Sequence, residues 1–189
     1  MIAIVPYQGD WPAQFAQWGR TIRAALQEQA LRIDHIGSTS VPGLAAKDTI
    51  DIQVTASDLS AEIEARLHAA GYERLEHITQ DHLPPGGGVE PGAWAKWFFT
   101  QRGDTRRVNL HVRLRGRPNQ RYALVFRDYL RAHPMAAAAY AQVKLTLARY
   151  HADDIDAYYD IKDPVCDIIL AGAESWAAAT QWEPGPSDQ

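Results

Sequence analysis

A chain of 189 residues with 46% hydrophobic and 22% charged side chains has the size and composition of one globular domain that buries roughly 70% of its unfolded surface. Its one cysteine, Cys166, excludes an internal disulfide and points to a reducing cytoplasm. A net charge of −4 excludes a general polyanion binder, and the sequence offers neither a signal peptide nor a stretch of roughly 18 apolar residues that would span a membrane.

In chain order, Pro12 to Gln29 is predicted as a helix, because Phe15, Trp18, Ile22, Ala25 and Leu26 recur at helical spacing behind a proline suited to a first turn. A short strand follows at Leu31 to Ile36, then a loop, Gly37 to Lys47, rich in Gly, Ser, Thr and Pro. Thr49 to Val54 alternates strictly and predicts a strand. Leu59 to Ala70 is an amphipathic helix closed by Gly71. His77 to Gly92 contains Pro84-Pro85-Gly86-Gly87-Gly88 and predicts a mobile loop. Trp94 to Thr100 and Arg107 to Leu114 read as strands joined by a turn at Gly103-Asp104. Helices follow at Tyr122 to Ala132, Pro134 to Tyr150 and Ile155 to about Ala179, and the tail, 183–189, is expected to be disordered. Residues 1–182 thus form one domain, α+β or mixed α/β, with a small mixed sheet and a helical C-terminal third.

Three features carry candidate chemistry. The first is Gly37-Ser38-Thr39-Ser40, where a strand runs into a turn offering hydroxyls and unpaired N–H groups that can cradle a phosphate; Gly-Ser turns that bind nothing are also common. The second is strand alternation. Asp51 and Gln53 share one strand face, and Asn109, His111 and Arg113 share another. If the two strands neighbour each other, these groups meet on one polar face; the plainer alternative is a solvated sheet face. The third is the run of arginines from Arg102 to Arg131, which includes Arg113 and Arg127 and suits either phosphate groups or a solvated hairpin. That stretch lacks interleaved surface aromatics to stack bases, which argues against a nucleic-acid partner.

The run Asp34-His35-Ile36-Gly37-Ser38-Thr39-Ser40-Val41-Pro42-Gly43-Leu44-Ala45-Ala46-Lys47, followed by Ile50-Asp51-Ile52, resembles the signature of the GrpB family. Further matches are Tyr7, Trp11, Pro12 and Phe15, Leu110-His111-Val112, Phe126-Arg127-Asp128-Tyr129-Leu130-Arg131, Tyr140, Lys144, Tyr158 and Lys162. The resemblance implies a nucleotidyltransferase-like fold, with Gly37, Ser38, Thr39, Ser40, Lys47, Arg113, Arg127 and Lys144 around a nucleotide or other phosphate-bearing ligand. It implies Asp51, Gln53 and His111 as candidate catalytic positions. In active members of that superfold, acids hold divalent metal against a triphosphate.

This chain departs from the active pattern: Gln53 stands where the second acid belongs, and the expected third-acid strand offers Asn109 and His111. Asp48 and Asn109 also replace a proline and a histidine common in the family. One carboxylate suits magnesium poorly, whereas Asp51 with His111 suits manganese or zinc better. The expectations are a nucleotidyltransferase, a nucleotide sensor that has lost metal, or a folding or interaction module with a protein partner linked to coenzyme A metabolism. The oligomeric state is not encoded in any motif.

Overall fold

The computed structural model describes residues 1–87, 90–101 and 107–189. The turn expected at Gly103-Asp104, Gly88, Arg102 and Arg106 therefore lie outside the described residues, as does the side chain of Arg107.

Five strands, β1 (Arg32–Ile36), β2 (Thr49–Ala56), β3 (Tyr72–Arg74), β4 (Lys96–Gln101) and β5 (Arg107–Leu114), form one sheet in the order β1-β2-β5-β4-β3. Only the β2–β5 pair is parallel; the other three are antiparallel. The helices are α1 (Trp11–Leu26), α2 (Ala61–Ala69), α3 (Pro118–Ala132), α4 (Pro134–Tyr150) and α5 (Ile155–Thr180). The mixed α+β class expected from the sequence is the one observed.

Alternation divides the sheet into two unlike faces. One carries Ile33, Ile50, Ile52, Val54, Val108, Leu110, Val112 and Phe99, all nearly inaccessible, and packs against Trp11, Phe15, Ile22 and Leu26 of α1 and Ile63 and Leu67 of α2. Each such fully buried side chain contributes roughly 1.5–3 kcal/mol of hydrophobic stabilisation before entropy is counted. The sheet is thus backed by α1 and α2. The helices of the C-terminal third stand over the other face, where Leu130, Tyr140 and Cys166 from α3, α4 and α5 enclose Val41 and Leu44 of the loop after β1. An apolar face attracts whichever amphipathic helices are nearest in sequence, and α1 and α2 flank β1 and β2.

Two expected irregular segments are ordered by hydrogen bonds. After β3 the chain keeps pairing with the β4 side: Leu75 N–H donates to Phe98 O (2.9 Å), Lys96 N–H to Thr79 O (2.9 Å) and Asp81 N–H to Trp94 O (2.9 Å). This holds the first part of the segment read as a mobile loop. The tail, expected to be disordered, lies along β1. Gln189 N–H donates to Ile33 O (3.2 Å), Ile33 N–H to Ser187 Oγ (2.9 Å) and His35 N–H to Asp188 Oδ2 (2.9 Å). The free edge of β1 offers these groups partners that composition alone does not reveal.

Candidate functional site

The parallel register sets Asp51 opposite Asn109, Gln53 opposite His111 and Thr55 opposite Arg113, with Phe98 and Lys96 of β4 opposite His111 and Arg113. The carboxylate, amides, imidazole and guanidinium read from strand alternation therefore do meet on one face. Above that face, α3, α4 and α5 and the loop after β1 enclose a cleft of about 800 Å³.

Asp51 sits at one corner. Its Oδ1 accepts a hydrogen bond from Asn109 Nδ2 (2.9 Å), and His111 Nε2 lies 3.8 Å away. Burial raises its pKa, but His111 and Asn109 outweigh burial and the net shift is downward. Gly37 packs directly against this carboxylate: its φ of 71° and ψ of −173° suit glycine alone, and a Cβ there would lie 3.0 Å from both Cβ and Cγ of Asp51. The Gly-Ser turn and the acid thus form one packed unit.

His111 is neutral. Burial and then the neighbouring Arg113 push its pKa down to about 4, and Arg113 Nη2 lies 3.3 Å from Nδ1. A guanidinium can only donate, so Nδ1 must accept and Nε2 carries the proton. That proton points toward Asp51. Metal ligation by Nε2 beside Asp51 would move the proton to Nδ1, facing the Arg113 donor.

The position of the missing second acid is filled by a network of protein charges. Gln53 Oε1 accepts from Arg113 Nη1 (2.6 Å) and its Nε2 donates to Gln120 O (3.1 Å) of α3, so Gln53 is fully buried and does not line the cleft. Arg113 also grips Asp81 through Nε (2.8 Å) and Nη2 (2.9 Å); Lys96 Nζ reaches the same carboxylate at 2.7 Å and Asn119 Nδ2 at 3.0 Å. Burial works against the Asp81 charge, yet Arg113 and Lys96 hold its pKa well below the usual carboxylate range. Asp81, a further acid at the cleft, is therefore already neutralised by two cations. Among the described residues no group of three His, Cys, Asp or Glu side chains could hold a metal ion. These donors do not fit a divalent-metal centre, and among the described residues two-metal transfer chemistry has no ligand set here.

The other wall is cationic and aromatic. Ser38 Oγ accepts from Lys144 Nζ (2.8 Å), which also donates to Ala45 O (2.6 Å) and lies 4.5 Å from the Tyr140 ring centre. Lys47 Nζ lies over the Tyr158 and Tyr159 rings, 4.3 and 4.7 Å from their centres. Lys162 pairs with Asp163 at 3.0 Å. Thr39 lines the cleft but its hydroxyl is paired with His35 Nε2 (3.0 Å).

Two expected ligand contacts lie elsewhere. Ser40 turns its hydroxyl to Gly37 O (2.6 Å), and Arg127 is buried, donating to His35 O (3.1 Å) and Asp188 Oδ2 (2.9 Å). Both positions tie the loop and β1 to α3, and neither lines the cleft. Among the described residues of the arginine run, only Arg113 lines it; Arg131 donates to Ser40 O and Arg121 pairs with Glu174.

Sequence reading missed Asp81, Lys96, Asn119 and the cleft role of Lys162. Tyr140 and Lys144 are four apart on α4, as are Tyr158, Lys162 and Cys166 on α5, and that i, i+4 spacing marks one helix face. Asp81 carried no such signal, since it lies in an irregular segment.

Fold and site together define an α+β protein whose sheet bears, on its polar face, a helix-roofed cleft walled by lysines and tyrosines. The chain belongs to the GrpB family: residues 1–171 match the model of the GrpB protein family. It is similar to the crystal structure of the conserved protein GrpB from Enterococcus faecalis, with a TM-score of 0.72 and 29% identity over 92% of this chain and 99% of that one. A structure of Cid1 in complex with its short product ApU aligns more loosely, with a TM-score of 0.44 and 15% identity over 78% of this chain and 46% of that one.

Among curated proteins, a dephospho-CoA kinase of Mycolicibacterium paratuberculosis is 39% identical over 97% of this chain and 48% of its own length. The UPF0157 protein BH1888 of Halalkalibacterium halodurans is 31% identical over 92% of this chain and 83% of its own. The chain spans about half the length of the dephospho-CoA kinases that it matches. Among the described residues no helix is long and apolar enough to cross a membrane.

Proposed function

We propose that the cleft binds a nucleotide or another phosphate-bearing small molecule, and does so without a divalent metal. The observation that carries this reading is the convergence of Lys47, Lys144 and Lys162 on a cleft that also contains the Gly37-Ser38 turn, with the Lys144 ammonium on the Ser38 hydroxyl. Ammonium groups and hydroxyls supply the donors a phosphate needs, and the tyrosines beside them offer flat apolar surface for a ring. On the opposite side Arg113 and Lys96 neutralise Asp81, so a bound anion would not face a cluster of bare carboxylates.

Transfer of a nucleoside monophosphate is the weaker reading, since Asp51 is the only acid of the motif and its imidazole neighbour presents a proton rather than a lone pair. The matched dephospho-CoA kinases make coenzyme A and dephospho-CoA natural members of a ligand panel. Thermal shift and equilibrium binding with ATP, AMP, dephospho-CoA and coenzyme A test the proposal, each in chelator and in excess magnesium or manganese. Ligand at a hundred times its dissociation constant should stabilise the protein by about 2.7 kcal/mol, equally in chelator and in metal. Binding that requires metal would restore the transferase reading, and no binding by any of the four would remove the ligand reading.

A further inference from the structure

We propose that the corner of the cleft formed by Ser38, Lys47, Lys144 and Lys162 is a subsite for a terminal phosphate monoester, whose dianion enters together with a proton taken up by Lys144. The proposal rests on the reading of the cleft as a phosphate-ligand site, and specifies which phosphate and in what protonation state.

Lys144 is 2% exposed, and among the described residues no carboxylate lies within ion-pair distance of its ammonium. Its hydrogen-bond partners are a hydroxyl and a carbonyl, Ser38 Oγ and Ala45 O. A neutral amine has two N–H groups and a lone pair, so it satisfies both: one N–H goes to Ala45 O, and the amine either donates to or accepts from the Ser38 hydroxyl. A buried lysine that lacks a counterion gives up its proton easily.

Every packed element contributes to that balance. From α5, the Lys162 ammonium disfavours a second positive charge, and Asp163 compensates Lys162 rather than Lys144. From β2, Asp51 favours the charged form but is itself held by Asn109. From α5 as well, Cys166, whose Sγ is paired with the Tyr140 hydroxyl (3.4 Å), favours the charged form of Lys144; α4 presents the Tyr140 ring beside the ammonium, and Lys47 of the loop after β1 rests over the Tyr158 and Tyr159 rings. Burial first, and Lys162 next, bring Lys144 down to about 7. A dianion arriving at Ser38 supplies the counterion the site lacks and returns Lys144 to the charged form. The sign follows from linkage: the free site is charged below about pH 7 and neutral above it, so uptake is small in acid and approaches one proton as pH rises past 7, until the bound form also titrates.

Isothermal calorimetry of the intact protein with AMP at pH 8, in two buffers of different ionisation heat, measures the uptake directly. AMP contributes none at that pH, because its phosphate has a second pKa near 6. His35 and His111, both pushed down to about 4, are too far away in pH to contribute. The expected results are an uptake approaching one proton, an affinity that falls up to tenfold per pH unit above 8, and binding at least tenfold weaker for 3′,5′-cyclic AMP, a monoanionic diester. Lys144→Arg should bind AMP with no buffer-dependent heat; if that variant does not fold, the two-buffer measurement on the natural chain decides alone. AMP binding with uptake below about 0.2 proton, or equal binding of cyclic AMP, overturns this proposal and leaves the cleft a ligand site. Failure of AMP, ATP, dephospho-CoA and coenzyme A to bind at any pH overturns both.

Discussion

Replacing Gly37 by alanine tests whether the Gly-Ser turn and Asp51 are one packed unit. Two separate costs are expected. With φ at 71° and ψ at −173°, a non-glycine residue is strained by about 1–3 kcal/mol. The added methyl would also sit 3.0 Å from Asp51 Cβ and Cγ and closer still to its Oδ2. That carboxylate is held by Asn109 at 2.9 Å, so moving it sacrifices a charge-assisted hydrogen bond worth about 1.5–3 kcal/mol. The sum is about 2.5–6 kcal/mol, or a fall in melting temperature of about 5–24 °C for a domain of this size. Urea denaturation of Gly37→Ala, Asp51→Ala and the double variant separates the terms. The double variant should recover the steric part, leaving it less destabilised than the sum of the single changes by about 1–3 kcal/mol. A Gly37→Ala protein within about 0.5 kcal/mol of the natural chain, or strictly additive changes, would refute the packing argument.

Gln53→Glu should gain nothing in magnesium or manganese affinity by calorimetric titration, because Gln53 lies beneath α3 and outside the cleft. It should lose about 1–3 kcal/mol of stability, as its carboxylate would face Gln120 O in place of an N–H donor. Asp81→Asn leaves Lys96 and Arg113 without their shared counterion and should cost about 3 kcal/mol in chemical denaturation. In the natural chain Asp81 has a depressed folded pKa, so its contribution is full above about pH 4 and is lost as pH falls further; Asp81→Asn should flatten the stability profile there. His35 and His111, pushed down to about 4 from 6.5, resist protonation only when folded. Stability should therefore fall as pH drops from about 6.5 toward 4, and His35→Gln should shallow that slope in pH-dependent melting.

Much of the scaffold was legible because it repeats a local period. Pro134–Tyr150 and Arg107–Leu114 have the bounds that alternation and prolines indicated, and strand parity put Asp51 and His111 on a shared face. Depth was not legible. Parity places Gln53 beside Asp51, but only the approach of α3 buries one and leaves the other at the cleft. The helix α3 begins at Pro118, earlier than Tyr122, because its first turn carries Asn119 and Gln120, whose buried amides reach Asp81, Ala95 and Gly116 rather than an apolar core. Strand β3 has three residues, too few to show a period. Asp81 and Arg127 acquire their roles only through partners tens of residues away, which no local pattern encodes.

The tail along β1 has a bearing on how the protein behaves in a crowd. A sheet's outer strands offer rows of unpaired amides and carbonyls that invite other chains to add on. At one side of this sheet, β3 is only three residues long. At the other, the outward backbone groups of Ile33 and His35 are all occupied, three by residues 187–189 and the fourth by Arg127. Removing residues 183–189 would uncover a ready template in β1, beside Arg127 stripped of its Asp188 partner. The shortened chain should then self-associate through that strand at concentrations where the natural chain stays dispersed.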